Sequence, residues 1–330
     1  MNEIYLTRRA ALTAGILAAA GLSSRAALAQ QYPNRPIKWL VGYAAGGGTD
    51  VLARLLGEAM SPGLSQQIVI ENRPGAATNL AADAAARAEP DGYTVFTAGI
   101  ETLVYNPALY KKLAFDPVRD FRPVGLTARF HLVLTVKRDS PATSARDLIE
   151  RAKAAPGQIN YGSPGLGSPH HLAMERLMRE AGIKFTHVPY RGMAPVITDM
   201  MGGVVEAAIV DYAAGGSVLR SGDLKPLAVC SARRLEALPD VPTVQEALGL
   251  PGFEAYAWQG VVVPARTPDA IVARLAEALT AALANEPLQT RMREIGLEPL
   301  TGGPKEFQSL IEADRGVWEP LIRNLGITLE

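Results

Sequence analysis

The sequence predicts an α/β protein whose mostly parallel strands alternate with helices and whose chain forms two lobes. From residue 37 onwards, short apolar runs alternate with segments of helical periodicity, which is typical of a parallel sheet covered on both faces. The chain has 330 residues, about the length of two domains. Two similar apolar segments, 130–137 and 256–263, each precede a proline turn and a helical pattern. We interpret them as a pair of crossings between the lobes.

The composition is that of an ordinary globular protein, with 48% hydrophobic and 20% charged residues. The 33 basic and 33 acidic residues cancel, so the chain lacks the basic footprint of a nucleic-acid-binding protein. The single Cys230 excludes a disulfide framework and a Cys-rich metal site. We therefore expect no nucleic-acid partner, no metal and no cofactor.

Residues 1–29 have the pattern of a secretory signal peptide. Arg8 and Arg9 precede an apolar run over 10–22, which is too short to cross a bilayer core of about 30 Å. Ala27 and Ala29 then provide small residues for cleavage. We expect a mature chain that starts at Gln30 and lies in the periplasm. The paired arginines also fit twin-arginine export, and the sequence leaves both export routes open.

The first lobe is expected to comprise 30–130 together with 256–330. Strands are predicted at 37–43, 67–71 and 93–97, with helices through 52–59 and over 80–88. After the second crossing, Thr267 and Pro268 are typical of a helix N-cap and first position. A C-terminal helix near 305–325, carrying Phe307, Leu310, Ile311, Trp318 and Leu321, is expected to pack back on this lobe.

The second lobe is expected to comprise 131–255. Its apolar runs predict strands at 132–136, 159–161, 184–188, 206–210 and 226–230. Helices are predicted at 144–154, 170–181 and 195–201, the first opening on a capping box of Ser144 and Asp147.

A glycine-rich loop over Gly42–Asp50 joins the first strand to the first helix and is the first candidate site. Glycines let the backbone approach a ligand, and a helix start presents free N–H groups to an anion. A dinucleotide fingerprint would need glycine at position 51, which is Val51, and a Gly-Lys-Ser/Thr loop is absent. We favour a carboxylate site over a simple tight turn. We also expect Gly47 to need a backbone conformation that a β-branched residue resists.

A second loop, over 161–171, again joins a strand to a helix and carries Ser163, Gly165, Gly167 and Ser168. A hydrolase interpretation makes Ser163 a nucleophile and His171 its base. Pro164 opposes it, because proline lacks the N–H that an oxyanion hole needs after the nucleophile. We expect His170 and His171 to be hydrogen-bonded structural residues near the helix start.

Two further charged residues follow predicted strands. Arg191 suits a bidentate clamp on a carboxylate or a solvated position. Asp211 ends an apolar strand, where open α/β sheets place ligand contacts. It would accept a hydrogen bond either from a ligand or from loop amides.

The chain also resembles a known family through motifs that occur in the same order. They are Tyr32-Pro33, the glycine loop ending in Asp50, Glu71–Ala76, Pro90–Thr94, Asn106-Pro107, Asp116–Phe121, His187–Gly192 and Leu238–Thr243. This set closely resembles the Bug receptors, the TctC-like periplasmic binding component of tripartite tricarboxylate transporters. The resemblance covers essentially the whole mature chain.

The resemblance implies a two-lobed periplasmic binding protein fold with a ligand cleft between the lobes. It implies a monomer that binds a small carboxylate through loop amides and bridging waters and delivers it to membrane permease subunits, without catalysis. The implied contacts are Tyr43, Ala45, Gly46, Gly47, Asp50, Gly99 and Glu101 in the first lobe, and Ser163, Gly165, Gly167, Ser168, Arg191 and Asp211 in the second. The family often has Asn after the acidic residue, where this chain has Tyr212, and that tyrosine is expected to narrow the pocket or stack on an aromatic ligand.

Two other functions remain open from the sequence. One is a secreted serine hydrolase built on Ser163 and His171. The other is a ligand sensor that signals without transport. The sequence fits transport and sensing equally and does not identify the ligand.

Overall fold

The computed structural model describes residues 32–329, which form a mixed α/β fold with ten strands and eleven α-helices. The predicted signal segment, 1–29, lies outside the described residues. The strands are β1 (Ile37–Val41), β2 (Ile68–Asn72), β3 (Thr94–Gly99), β4 (Phe121–Lys137), β5 (Asn160–Ser163), β6 (Thr186–Pro189), β7 (Ala207–Asp211), β8 (Leu224–Val229), β9 (Tyr256–Pro264) and β10 (Leu297–Pro299).

The helices lie mostly between successive strands, as in α/β proteins generally. They are α1 (Gly48–Leu64), α2 (Asn79–Ala86), α3 (Asn106–Leu109), α4 (Ala145–Ala154), α5 (Pro169–Ala181), α6 (Met193–Met201), α7 (Tyr212–Arg220), α8 (Val244–Leu248), α9 (Asp269–Leu283), α10 (Glu286–Glu294) and α11 (Pro304–Leu325). A π-helical turn over Glu101–Tyr105 directly follows β3 and leads into α3.

The long strand β4 runs through both halves of the molecule. As far as His131 it pairs antiparallel with β9, and from Leu132 it pairs antiparallel with β7. The change of partner coincides with the start of β9 at Tyr256, which is opposite His131. We propose the lobe boundaries at these points, so that one lobe comprises 30–130 and 256–330 and the other 131–255.

The first lobe is built on β2, β1 and β3, which are parallel, and on β9, which is antiparallel to β3 and β4. Its core includes residues of α11, which returns to this lobe. The ring of Phe307 meets the ring of Trp258 edge-on at 5.6 Å, and Trp318 packs on Tyr105 at 4.9 Å. Burial of such aromatic pairs contributes more than their area alone.

The second lobe is built on β6, β5 and β7, which are parallel, with β4 and β8 beside them. Separate apolar clusters cover the two faces of this sheet. One contains Leu134, Tyr161 and Met174, and the other contains Val133, Val196 and Met200. Successive strand residues point to opposite faces, so the adjacent residues Val133 and Leu134 fall in different clusters.

Two local predictions are wrong. The N-cap of α9 is Pro268, and the Thr267 hydroxyl instead donates to the carbonyl of Pro264 at 2.7 Å. The predicted capping box at α4 is only half formed. Ser144 caps the helix, but the Asp147 carboxylate accepts from the backbone N–H of Thr143. Asp211 caps α7, which begins at Tyr212.

No helix within 32–329 combines the length and the apolar composition that crossing a membrane requires.

Candidate functional site

A cleft between the two lobes collects the carboxyl ends of several strands and the helix starts that follow them. The cleft is narrow in this structure, with a cavity volume of about 30 Å³. We call it the interlobe cleft, and its lining is Tyr43, Gly47, Gly48, Thr49, Glu101, Phe130, Pro164, Pro169, His170, Met193, Asp211, Ala257 and Gln259.

Helix α1 points its N-terminus into the interlobe cleft. Its N-cap is Gly47, which has no side chain to cap the first amides, so they stay available to a ligand. Helix α6 starts in the same way after Gly192, and its first residue, Met193, lines the cleft. A helix N-terminus with free amides favours an anion. The two uncapped helix starts therefore suit a carboxylate.

Asp50 holds the glycine loop in shape from within the first lobe. Its carboxylate accepts from the N–H of Gly46 at 3.0 Å, from Arg54 and from the amide of Asn72. Burial alone would raise the pKa of Asp50, but the hydrogen bonds from Arg54, Gly46 and Asn72 outweigh it and lower that pKa. The N–H of Gly46 is thereby occupied, and Asp50 does not line the cleft.

Gly48, and not Gly47, is the position at which a side chain would not fit. Gly47 has φ −80°, and a Cβ there would have only the carbonyl of Ala44 nearby, at 3.7 Å. The expected conformational need at Gly47 is therefore wrong. A Cβ on Gly48 would collide with the Asp211 carboxylate and approach Phe130 at 3.0 Å and Ala213 at 3.1 Å. Gly48 thus lets α1 of one lobe meet the start of α7 in the other.

Glu101 provides a buried carboxyl at the first-lobe side of the cleft. It is only 2% exposed, on the turn that follows β3. Burial raises its pKa to about 7, although a hydrogen bond with Tyr43 partly opposes the rise. Burial and the neighbouring Glu101 also raise the pKa of Tyr43. A carboxyl of this kind is partly protonated near neutral pH and can donate a hydrogen bond to an anion.

His170 and Asp211 form the second-lobe side. Asp211 caps α7 through Oδ1, which accepts from the N–H of Ala214 at 2.8 Å. The Nε2 atom of His170 lies 3.3 Å from Oδ2 of Asp211, yet within residues 32–329 both ring nitrogens are buried without a hydrogen-bond partner. The expectation that His170 is a hydrogen-bonded structural residue is therefore wrong. Its position at the start of α5, after a glycine loop, could have indicated a place in the cleft.

Gln259 is a polar residue within the otherwise apolar strand β9. Its amide nitrogen donates to the Thr49 hydroxyl at 2.5 Å, which ties β9 to the start of α1. Its Oε1 atom is buried without a partner, and the residue is 4% exposed. A lone glutamine in a buried apolar run is a sequence signal that could have identified this residue.

The second glycine loop is organised by a histidine that the hydrolase hypothesis did not use. Ser163 Oγ lies 2.6 Å from Nε2 of His187, and Ser163 is completely buried. His171 instead accepts from the N–H of Gly167 and stacks near His187 at 4.5 Å. Ser163 does not line the cleft. The pairing of Ser163 with His171 is thus not observed.

Arg191 lies outside the interlobe cleft, in a neighbouring recess that shares Tyr43 and Pro164 with it. It is exposed there, near Gly165, whose φ of +138° lets it approach the carbonyl of Tyr190. Gly167 faces the first lobe, because a Cβ there would meet Leu109 at 3.0 Å and Ala77 at 3.5 Å. Arg191 therefore lines the neighbouring recess and not the interlobe cleft.

Of the residues expected to contact ligand, the structure brings four together in the cleft: Tyr43, Gly47, Glu101 and Asp211. Gly165 and Arg191 line the neighbouring recess. The others, Ala45, Gly46, Asp50, Gly99, Ser163, Gly167 and Ser168, support or border these loops without lining the cleft, and their roles as contacts remain predictions. The remaining lining residues were not named as individual contacts from the sequence: Gly48, Thr49, Phe130, Pro164, Pro169, His170, Met193, Ala257 and Gln259.

The expectation for Tyr212 is wrong. Its hydroxyl accepts from Arg220 at 3.1 Å, and its ring packs so closely on Gly296 that a Cβ there would collide with it. The ring therefore faces away from the cleft. Among the described residues, no group of three or more His, Cys, Asp or Glu is arranged to hold a metal ion.

Comparison with known proteins assigns the chain to a family. Residues 52–327 match the model of the tripartite tricarboxylate transporter family receptor, TctC. The chain belongs to this family. Within it, the chain is 32% identical to Protein BugT of Bordetella pertussis, over 98% of this chain and 99% of BugT.

Solved structures of similar proteins share the fold of this TctC family member. Rpa4515 of R. palustris, solved with adipate, is 36% identical and superposes with a TM-score of 0.87 over 90% of this chain and 99% of its own. MatC of Rhodopseudomonas palustris, solved with malate, is 32% identical and has a TM-score of 0.84 over 88% of this chain and 100% of its own. The two-lobed α/β architecture of periplasmic binding proteins is thus confirmed for this chain.

Proposed function

We propose that this protein is a periplasmic solute receptor that closes its two lobes over a small carboxylate and delivers it to the permease subunits of a tripartite tricarboxylate transporter. The observation that carries the proposal is the pair of uncapped helix starts, α1 and α6, which face one cleft from opposite lobes. The adipate and malate in the two similar structures are carboxylates, which supports the same ligand class here.

Lobe closure provides the binding mechanism. Gly48 lets α1 and α7 meet across the cleft, so a ligand bound between them touches both lobes at once. Such a ligand binds the closed form better than the open form and shifts the population towards closure. The closed form then presents a distinct surface to the membrane subunits.

The geometry favours binding over catalysis. A serine nucleophile needs access to substrate and an oxyanion hole. Ser163 is buried outside the cleft and is followed by Pro164, which lacks an N–H. We therefore propose that the protein turns over no substrate.

The N-terminal segment supports the proposed location, because it predicts export and cleavage after Ala29. Mass spectrometry of periplasmic protein should find a chain that begins at Gln30. Periplasmic protein that retains Arg8 and Arg9 would contradict the predicted cleavage.

A thermal-shift screen of the mature chain against mono-, di- and tricarboxylates tests the function. A ligand at 100 times its Kd adds about 2.7 kcal/mol to the free energy of unfolding. At least one carboxylate should raise Tm accordingly, while uncharged amides of the same acids should not. A screen in which no carboxylate raises Tm would contradict the proposal.

A further inference from the structure

The interlobe cleft contains buried polar atoms that have no hydrogen-bond partner among the described residues, on the side chains of Gln259 and His170. Oε1 of Gln259 is buried without a partner. Oδ2 of Asp211 has the unbonded ring of His170 beside it, while Oδ1 is used to cap α7. A buried acceptor left without a donor costs about 1–3 kcal/mol, so such groups ordinarily have a partner.

The charges around these acceptors are also unbalanced. No Lys or Arg occurs among the described residues that line the cleft. Two carboxyl groups, Glu101 and Asp211, line it instead, and both are at most 3% exposed. The amides of α1 and α6 can hold one ligand carboxylate, but they leave the acceptors of Gln259 and Asp211 unmatched.

We infer that the ligand carries, beside its carboxylate, a hydrogen-bond donor that pairs with Gln259 Oε1 and Asp211 Oδ2. A hydroxyl and an ammonium group share this chemistry. The inference rests on the proposed function and narrows its ligand class to hydroxy or amino carboxylates. The neighbouring His170 completes the polar patch, because both of its ring nitrogens can take part in hydrogen bonds.

The selectivity follows from the acceptors that remain unpaired when a ligand lacks the donor. A parent acid without the donor would bury the acceptors of Gln259 and Asp211 unpaired. A site built to pair a ligand OH or NH rejects the analogue that lacks it far more strongly than an apolar pocket rejects a missing methylene. The cleft should therefore discriminate by the presence of the donor more than by chain length.

Calorimetric titration with two matched series tests the inference. One series is propanoate, 2-hydroxypropanoate and 2-aminopropanoate, and the other is butanedioate, 2-hydroxybutanedioate and 2-aminobutanedioate. In the series that binds, the hydroxy or the amino acid should bind at least tenfold more tightly than the parent acid. A preference for the amino acid identifies the donor as ammonium, and a preference for the hydroxy acid identifies it as hydroxyl.

Three variants then connect the discrimination to the named acceptors. Gln259→Met removes the Oε1 acceptor at similar size and should shrink the preference over the parent acid at least threefold. Asp211→Asn keeps a side-chain oxygen to cap α7 but removes the charge, and it should weaken an amino ligand more than a hydroxy ligand. Asp314→Asn is the matched control, because Asp314 is also a buried carboxyl but binds Tyr256 and Trp258 away from the cleft. It should leave the preference unchanged.

The outcomes separate this inference from the proposed function. Parent acids that bind as tightly as their hydroxy and amino counterparts would overturn the inference and leave the receptor function standing. An undiminished preference in both Gln259→Met and Asp211→Asn would also overturn it. If no acid of either series or of the wider carboxylate screen binds, the proposed function fails and the inference fails with it.

Discussion

The hydroxyl of Ser163 lies 2.6 Å from Nε2 of His187, across the parallel strands β5 and β6. The bond fixes the start of the second glycine loop, because Ser163 Oγ also accepts from the N–H of Gly165 at 3.2 Å. The His187 ring stacks on Tyr161 at 4.7 Å. The serine thus has a structural role in shaping the loop beside the cleft.

Ser163→Ala should therefore lower stability and remove no activity. Loss of the hydroxyl leaves Nε2 of His187 without its partner, which costs about 1–3 kcal/mol of unfolding free energy. Chemical denaturation of the variant measures this loss, with the exposed Ser221→Ala as a control that changes little. Hydrolysis of esters or amides by the wild type that disappears in Ser163→Ala would contradict the structural role.

Glu101 should make the protein less stable as the pH rises. Burial raises its folded-state pKa to about 7, above the ordinary value of 4.5, so its stabilising contribution is complete below 4.5 and is lost as the pH rises through 7. Glu101→Gln should avoid this loss and gain on the order of 3 kcal/mol relative to the wild type between pH 4.5 and pH 8.

Denaturant titrations across this pH range measure the effect. Glu71→Gln is the matched control, because hydrogen bonds from Lys38 and Arg73 lower the pKa of Glu71 and place its titration below this range. Parallel pH profiles of the unfolding free energy in the wild type and in Glu101→Gln would show that the pKa of Glu101 is not raised in the folded state.

His171 and His187 should make the protein less stable as the pH falls. Burial lowers the pKa of His171 to about 3, with a further contribution from His187, and burial lowers the pKa of His187 to about 4. Their contribution is complete above the ordinary value of 6.5 and is lost as the pH falls towards 4.

The two opposing effects separate in a Glu101→Gln background. There the unfolding free energy should fall by about 2–3 kcal/mol from pH 7 to pH 5. Adding His187→Gln should reduce that fall. An unfolding free energy that does not change between these pH values would contradict neutral, buried histidines in the second lobe.

Most of the fold could be predicted from the sequence, because apolar runs indicate its strands and apolar residues at helical spacing indicate its helices. The predicted strand at 67–71 lies within one residue of β2, for example. The first half of β4 was missed, because Pro123 and Gly125 interrupt the run and the register shifts there. Such irregular pairing depends on the neighbouring strand β9 and not on local pattern.

The site was predictable only in part, for a related reason. A glycine loop before a helix and an acidic residue at the end of an apolar strand are both visible in the sequence, so Gly47 and Asp211 could be found. Whether a side chain such as that of Gln259 or His170 has a hydrogen-bond partner depends on residues far away in the chain. The unsatisfied acceptors became visible only when the fold brought β9, α1 and α5 to one cleft.

The central claim is that a carboxylate binds by closing the two lobes on each other, and Gly48 tests it most directly. In this structure, Gly48→Ala places a Cβ against Asp211, Phe130 and Ala213. Gly63→Ala, in the same helix with nothing within 4 Å of its Cβ, is the matched control. The measurement is calorimetric titration of both variants and the wild type with the carboxylate that raises Tm most. We expect Gly48→Ala to bind at least tenfold more weakly, a cost of about 1.4 kcal/mol, and Gly63→Ala to bind as the wild type does. Equal affinity in all three proteins would contradict binding between closing lobes.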